Sequence, residues 1–214
     1  MAVISQIKGT DNVTYNVRDD VSIWGGRNYA TLNFTGNSSK TGTLGLTDID
    51  KIDTSLSFRG RPVIKRYRTE QTANSWRESQ IWVNNVSPSD AYWTLSCWVY
   101  STDLTWTKIS NNINTGGLRC FKTGKSESVT GGIQIAGTYN FFPSTTNIWQ
   151  KVYSTFKIPP NNDYDRLCAY ISSNRDINMY MTDIKLEKGT KPTDWSPALE
   201  DIAHMNGEQL ELLS

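Results

Sequence analysis

From about Arg27 to Ala198 no stretch of the chain keeps a helical period; apolar residues come in short alternating runs separated by Gly, Pro, Asn and Ser. LSFRGRPVIKRYR reads as two short strands about Gly60, and SQIWVNNV and YWTLSCWVY as two more on either side of an SPSD turn. GGIQIAGTYNF, WQKVYSTFKI, RLCAYIS and INMYMTDIKLEKG read as four further strands, while SNNINTGG and PPNNDY read as loops. Short strands at regular spacing with turn signals predict an all-β chain, folded as a single jelly-roll β-sandwich. In front of it, ISQIK and VTYNV flank a GTDN turn, which predicts a hairpin in residues 1–25. Residues 26–198 then form the sandwich, and residues 199–214 a short helical tail with Leu199, Ile202 and Met205 on one face.

Strand parity separates core from surface. In the strand around Cys97, the residues Trp93, Leu95, Cys97 and Val99 share an apolar face directed to the core. Tyr92, Thr94, Ser96, Trp98 and Tyr100 take the other face. Val152, Phe156 and Ile158 share a face with Ser154, opposite Lys151, Tyr153, Thr155 and Lys157. Leu167, Ala169 and Ile171 oppose Arg166, Cys168 and Tyr170. The outward faces repeat one chemistry, aromatic rings beside hydroxyls and cations, in a chain with eight Trp, ten Tyr and six Phe. That chemistry suits sugars: C–H patches of a pyranose lie on a ring, and its hydroxyls need planar polar partners. The expected carbohydrate-binding residues are Trp98, Tyr100, Tyr153 and Tyr170 as stacking rings, with Lys151 and Arg166 for hydroxyls or anionic substituents. Trp93, Trp149 and Trp195 read as structural anchors.

Other chemistries find little support. One His excludes most His-based triads and multi-His metal sites; paired carboxylates for glycoside hydrolysis cannot be located from spacing, Glu70, Glu78 and Glu127 being candidates by default only, so the chain is expected not to be an enzyme. Cys97, Cys120 and Cys168 lack metal-ligand spacing and read as three free thiols, a Cys97–Cys168 bridge being the minor alternative. No cofactor is expected. Asp48, Asp50 and Asp53 read as a solvated loop, with a structural Ca²⁺ left open, because an EF-hand would need Gly at the place of Asp53 and Glu at that of Arg59. Gly124-Lys125-Ser126 lacks the upstream Gly of a phosphate loop. The basic run Arg59, Arg61, Lys65, Arg66 and Arg68 splits between two strand faces. With a formal charge of +1 it reads as a solvated strand, or as a contact for an anionic glycan or partner subunit, and no nucleic-acid partner is expected. No apolar run approaches the ~18–20 residues of a membrane span, and no secretory signal is read in MAVISQIKGTDNVTYNV.

One segment is more specific. KLEKGTKPTDWSPALED, residues 185–201, closely resembles the ending of carbohydrate-binding-module-like domains in tail, baseplate and fibre proteins of phages infecting Gram-positive bacteria. The match runs through Lys185, Glu187, Gly189, Thr193, Trp195, Pro197, Glu200 and Asp201. Gly26-Arg27-Asn28, YWTLSCWVY and the strand beginning at Trp149 resemble other parts of these domains, and KGTDNVTYNVRDD resembles the segments that open many such virion proteins. The resemblance implies a jelly roll, a place in the virion after synthesis in the host cytoplasm, and attachment to host cell-wall polysaccharide. It also implies other virion proteins as partners and a homo-oligomer such as a trimer. The alternative it leaves is a structural decoration module making homotypic contacts without glycan. Physically, Gly189 permits a positive φ after the last strand, and Trp195 then packs the exit against the sandwich.

Overall fold

The computed structural model describes residues 5–8, 14–17, 27–30, 44–69, 76–84, 86, 91–104, 114–122, 132–135, 141–160, 164–173, 177–196 and 198. The expected helical tail, Gly124-Lys125-Ser126 and the single histidine lie outside these residues.

The strands are β1 (Ser5–Lys8), β2 (Thr14–Val17), β3 (Leu44–Gly45), β4 (Asp50–Phe58), β5 (Arg61–Arg68) and β6 (Arg77–Asn84). They continue as β7 (Tyr92–Tyr100), β8 (Asn114–Phe121), β9 (Gly132–Ile135), β10 (Gln150–Lys157), β11 (Arg166–Ser173) and β12 (Ile177–Lys188). β1 and β2 pair antiparallel as a hairpin of their own, with Ser5 opposite Val17 and Lys8 opposite Thr14. The remaining strands form two five-stranded antiparallel sheets, ordered β10-β7-β12-β5-β4 and β3-β6-β11-β8-β9. Below they are the first and second sheet. From β5 onward the chain visits the first sheet, the second, the first, the second twice, then the first, second and first again. That alternation, with β5-β12-β7-β10 facing β6-β11-β8-β9, is jelly-roll topology.

The core between the sheets is the one parity predicts: Trp93, Leu95, Cys97 and Val99 from β7, and Leu167, Ala169 and Ile171 from β11, are all fully buried. Charged residues interrupt it: Arg66 and Arg68 of β5 and Asp50 of β4 are all buried. Arg66 of β5 points inward, fully buried, and binds both oxygens of Asp50 (2.7 and 3.0 Å). It also donates to Ser79 of β6 and to Ile171 O and Ser173 Oγ of β11, so one guanidinium joins both sheets. The solvated reading of this region is thereby corrected for Arg66 and Asp50: a buried cation needs a carboxylate beside it, and β4 supplies one. Burial works to raise the Asp50 carboxyl, but Arg66, Ser79 and Thr47 together hold it below its ordinary value.

The exit segment forms a strap across the outer face of the first sheet. Gly189, at φ 134°, turns the chain back after β12. Thr94 Oγ1 then donates to Gly189 O, Lys151 Nζ to Thr193 O (2.6 Å), and Lys185 Nζ to Thr193 Oγ1 and Asp194 O (2.7 Å each). Glu187 receives Thr193 N and Oγ1. Beneath the strap Thr94, Ser96, Lys185 and Glu187 are buried although their parity points away from the core. The dense sequence motif is therefore a latch whose lysine, glutamate and threonine bind one another. Trp195 lies under the Arg61 guanidinium (4.4 Å), and Arg61 is fixed in turn by Asp183 at the β12 bulge. Asn28 closes the entry against the exit: its Oδ1 accepts from Ala30 N and Leu186 N, and its Nδ2 donates to Ser196 O.

Candidate functional site

The six sequence-predicted residues fall on two opposite surfaces. Trp98 and Tyr100 of β7, and Lys151 and Tyr153 of β10, point outward from the first sheet. Arg166 and Tyr170 of β11 point outward from the second. Within the first set, Lys151 is engaged by the strap and Tyr153 is half exposed on an edge strand. Sequence parity tells which side of its own strand a residue occupies, but not which sheet the strand joins.

On the second sheet, β11 runs between β6 and β8, and side chains of these neighbours meet across it. Glu78, Gln80 and Trp82 project from β6, and Arg119 and Phe121 from β8. Arg119 donates two hydrogen bonds of 2.6 Å to the Glu78 carboxylate. Gln80 Nε2 donates to Glu78 Oε2, and Trp82 Nε1 donates to Gln80 Oε1. The Trp82 ring stacks with Phe121 (centroids 5.3 Å), with the Arg166 guanidinium above both at 5.4 and 5.5 Å. At the other side Arg119 lies 4.3 Å above the ring of Tyr170. Tyr170 lies across Gly117, where any side chain would run into its ring, and its hydroxyl accepts from Gln134 of β9. One chain of contacts thus fixes Arg166, Trp82, Gln80, Glu78, Arg119, Tyr170 and Gln134 relative to one another.

The electrostatics suit recognition. Burial opposes ionisation of Glu78, but the Arg119 hydrogen bonds and charge hold its carboxyl below the ordinary range. A carboxylate in that state accepts hydrogen bonds at neutral pH and is a poor general acid. Burial raises the Tyr170 hydroxyl, so it stays a neutral donor. Sequence reading missed Glu78 as a ligand group, Gln80, Trp82, Arg119 and Gln134; the alternation R-E-S-Q-I-W-V-N of β6, with Glu78, Gln80 and Trp82 at every second position, was the available signal.

The first sheet's outer face carries a second group of rings. Phe58 contacts Trp98 (5.2 Å) and Trp149 (4.6 Å), Trp149 contacts Tyr100 (5.3 Å), and Tyr100 contacts Tyr180 (6.0 Å). Trp149, read as an anchor, stands in this cluster.

The carboxylates of the suggested calcium loop have separate partners: Asp48 binds Arg77, Asp50 binds Arg66, and Asp53 binds Ser55. Among the described residues no three His, Cys, Asp or Glu side chains gather as a metal site. Cys97, Cys120 and Cys168 are free and buried; Cys97 faces the core from the first sheet and Cys168 lies on the outer side of the second, which excludes the bridge between them.

No protein-family model and no curated protein matches the chain. Among solved structures, it is similar to the family 30 carbohydrate-binding module of a cellulosomal cellulase of Clostridium thermocellum, with TM-score 0.44, 13% identity, and 76% of this chain and 92% of that one covered. It is similar to a xylan-binding CBM 22 domain with TM-score 0.43, 12% identity and coverage of 79% and 97%. A tailspike domain of bacteriophage CBA120 aligns with TM-score 0.40, 11% identity and 67% of this chain; this chain spans only 18% of that one. At these identities no ligand and no residue role passes from those proteins to this chain.

Proposed function

We propose that this chain is a non-catalytic carbohydrate-binding protein of a phage virion, which holds host cell-surface polysaccharide on the outer face of the second sheet. The observation that carries the reading is the linked set Trp82–Gln80–Glu78–Arg119–Tyr170–Gln134, which places planar amide, carboxylate and guanidinium groups beside aromatic rings. Such groups, fixed before a ligand arrives, lose little entropy on binding a sugar. Trp82 offers a partly exposed ring for C–H stacking, and Gln134, Glu78 and Arg119 offer in-plane bonds to hydroxyls. Arg166 belongs to this surface, whereas Tyr170, expected as a stacking ring, is 3% exposed between Gly117 and Arg119 and supports the surface from beneath. The virion setting rests on the resemblance of residues 185–201 to endings of phage tail and fibre domains.

The test is retention of the protein on a panel of purified Gram-positive cell-wall polysaccharides. Trp82→Ala should weaken retention about thirtyfold, the effect of removing an interface hot spot of about 2 kcal/mol. Gly117→Ala, which displaces the Tyr170 ring, should weaken it without touching an exposed group. If wild type is retained on none of the panel, or Trp82→Ala is retained as well as wild type, the reading is wrong.

A second reading, a structural virion module making homotypic contacts, draws on the β1–β2 hairpin, whose strands pair with neither sheet. Light scattering at high concentration would show an oligomer lost on deleting residues 1–23; a monomer rejects it.

A further inference from the structure

The outer face of the first sheet beyond the strap holds cations with aromatic neighbours and few acids. The β4–β5 turn is Arg59-Gly60, at φ 53° and 76°. Two successive positive φ values make a tight hairpin turn whose first place favours Asn, Asp or Gly, and an arginine there costs about 1 kcal/mol. The strained residue lays its guanidinium over Phe58 (4.9 Å) and Trp98 (5.1 Å). Further along, Lys65 Nζ sits between Tyr67 (5.5 Å) and Tyr180 (5.6 Å). Lys51 is exposed and directly opposite Lys65 in the β4–β5 register. Two lysines facing each other on one sheet face repel. The described carboxylates nearby do not offset all three cations. Asp53 holds Ser55 through the N–H and hydroxyl and also attracts Lys65, while Asp183 is bound by Arg61, so these two acids leave Arg59 and Lys51 unmatched.

We propose that Arg59, Lys65 and Lys51, with the rings of Trp98, Phe58, Tyr180 and Tyr67, form a second carbohydrate surface, on the opposite side of the sandwich, that binds an anionic glycan chain. The anionic group is a carboxylate or a phosphodiester. Either would relieve the Lys51–Lys65 repulsion and complete the hydrogen bonding of a guanidinium already held by stacking. The rings add the C–H stacking that separates a glycan from a simple polyanion. This surface shares no residue with the second-sheet site, so each can fail alone.

Affinity electrophoresis of the full chain tests the proposal, in gels cast with polygalacturonate, its methyl ester, poly(glycerol phosphate) or single-stranded poly(dT). Wild type should be retarded by polygalacturonate or poly(glycerol phosphate), and the one that acts names the anion. The methyl ester should not retard it. R59Q with K65Q should weaken the effect about tenfold or more, and R59K should retain most of it. Equal retardation by ester and acid, no retardation by either anionic polymer, an unaltered R59Q/K65Q protein, or poly(dT) binding as tight as the glycan would each overturn it.

Discussion

Replacing Arg66 by methionine would keep most of the volume of the side chain and remove the guanidinium that pairs with Asp50 in the core. In the wild type the guanidinium makes five hydrogen bonds: two to Asp50 and one each to Ser79, Ile171 and Ser173. Without it, Asp50 keeps, among the described residues, the donors Thr47 and Ser79 and remains buried. Breaking a buried pair on one side costs about 3–5 kcal/mol, a large part of the ~5–15 kcal/mol that holds a typical domain folded. Urea denaturation at pH 7 should show that loss as a lowered midpoint with an unchanged slope. The pH dependence gives a second reading. The folded wild-type Asp50 has its pKa below the ordinary 3.8, so its stabilisation is present above that value and fades as pH falls through the folded pKa. In the variant, burial acts unopposed by Arg66 and the carboxyl rises above its ordinary value, so its penalty is relieved by protonation. The difference between the two proteins should therefore shrink from pH 7 toward pH 3.5. The double variant Asp50→Asn/Arg66→Met should cost less than the two single losses added. A loss under about 1 kcal/mol at pH 7 for Arg66→Met alone would refute the assignment of this pair as the joint between the sheets.

Two further outcomes follow from buried polar groups. Thr193→Val removes the hydroxyl shared by Lys185 and Glu187, each with about 1% of its side chain exposed, and should cost about 1–3 kcal/mol in chemical denaturation; an unchanged midpoint would mean the strap is only draped on the sheet. The thiols of Cys97 and Cys120 are pushed up by burial, that of Cys120 to about 12, and Cys168 is fully buried, so none should react with Ellman's reagent before unfolding and all three should in urea. One fast equivalent under native conditions would contradict that packing.

Much of the architecture was legible because parity is a local property. A strand such as YWTLSCWVY sorts its own residues into core and surface, and β7, β10 and β11 bury the side expected of them. What escaped was set by distant partners. NTGGLRCF reads as a loop at Gly116-Gly117, yet it is the strand β8. Its glycines stand where Phe141 and Tyr170 lie flat: a methyl at Gly116 would come within 2.7 Å of Phe141 Cε2. The absence of a side chain marks a close approach of rings, and the sequence around it looks like a turn. The candidate site was half legible for a similar reason. Tyr170 and Arg166 were identified from β11 alone, whereas Glu78, Trp82 and Arg119 gain meaning only when β6 and β8 are laid on either side of it. Arg66 was invisible as a core residue because nothing near it in sequence announces Ser79, Ile171 and Ser173.

The closure at Asn28 has a mechanical consequence. Its side chain joins the segment entering the sandwich to Leu186 N and to Ser196 O on the segment leaving it, and Tyr29 N adds a backbone bond to Leu186 O. A pull applied through residues 28 and 196 therefore meets these few bonds first and crosses between two neighbouring strands of chain. The outer faces of both sheets stay outside the line of tension until that clasp opens, so a module tethered at both flanks can bear load while those faces keep their shape.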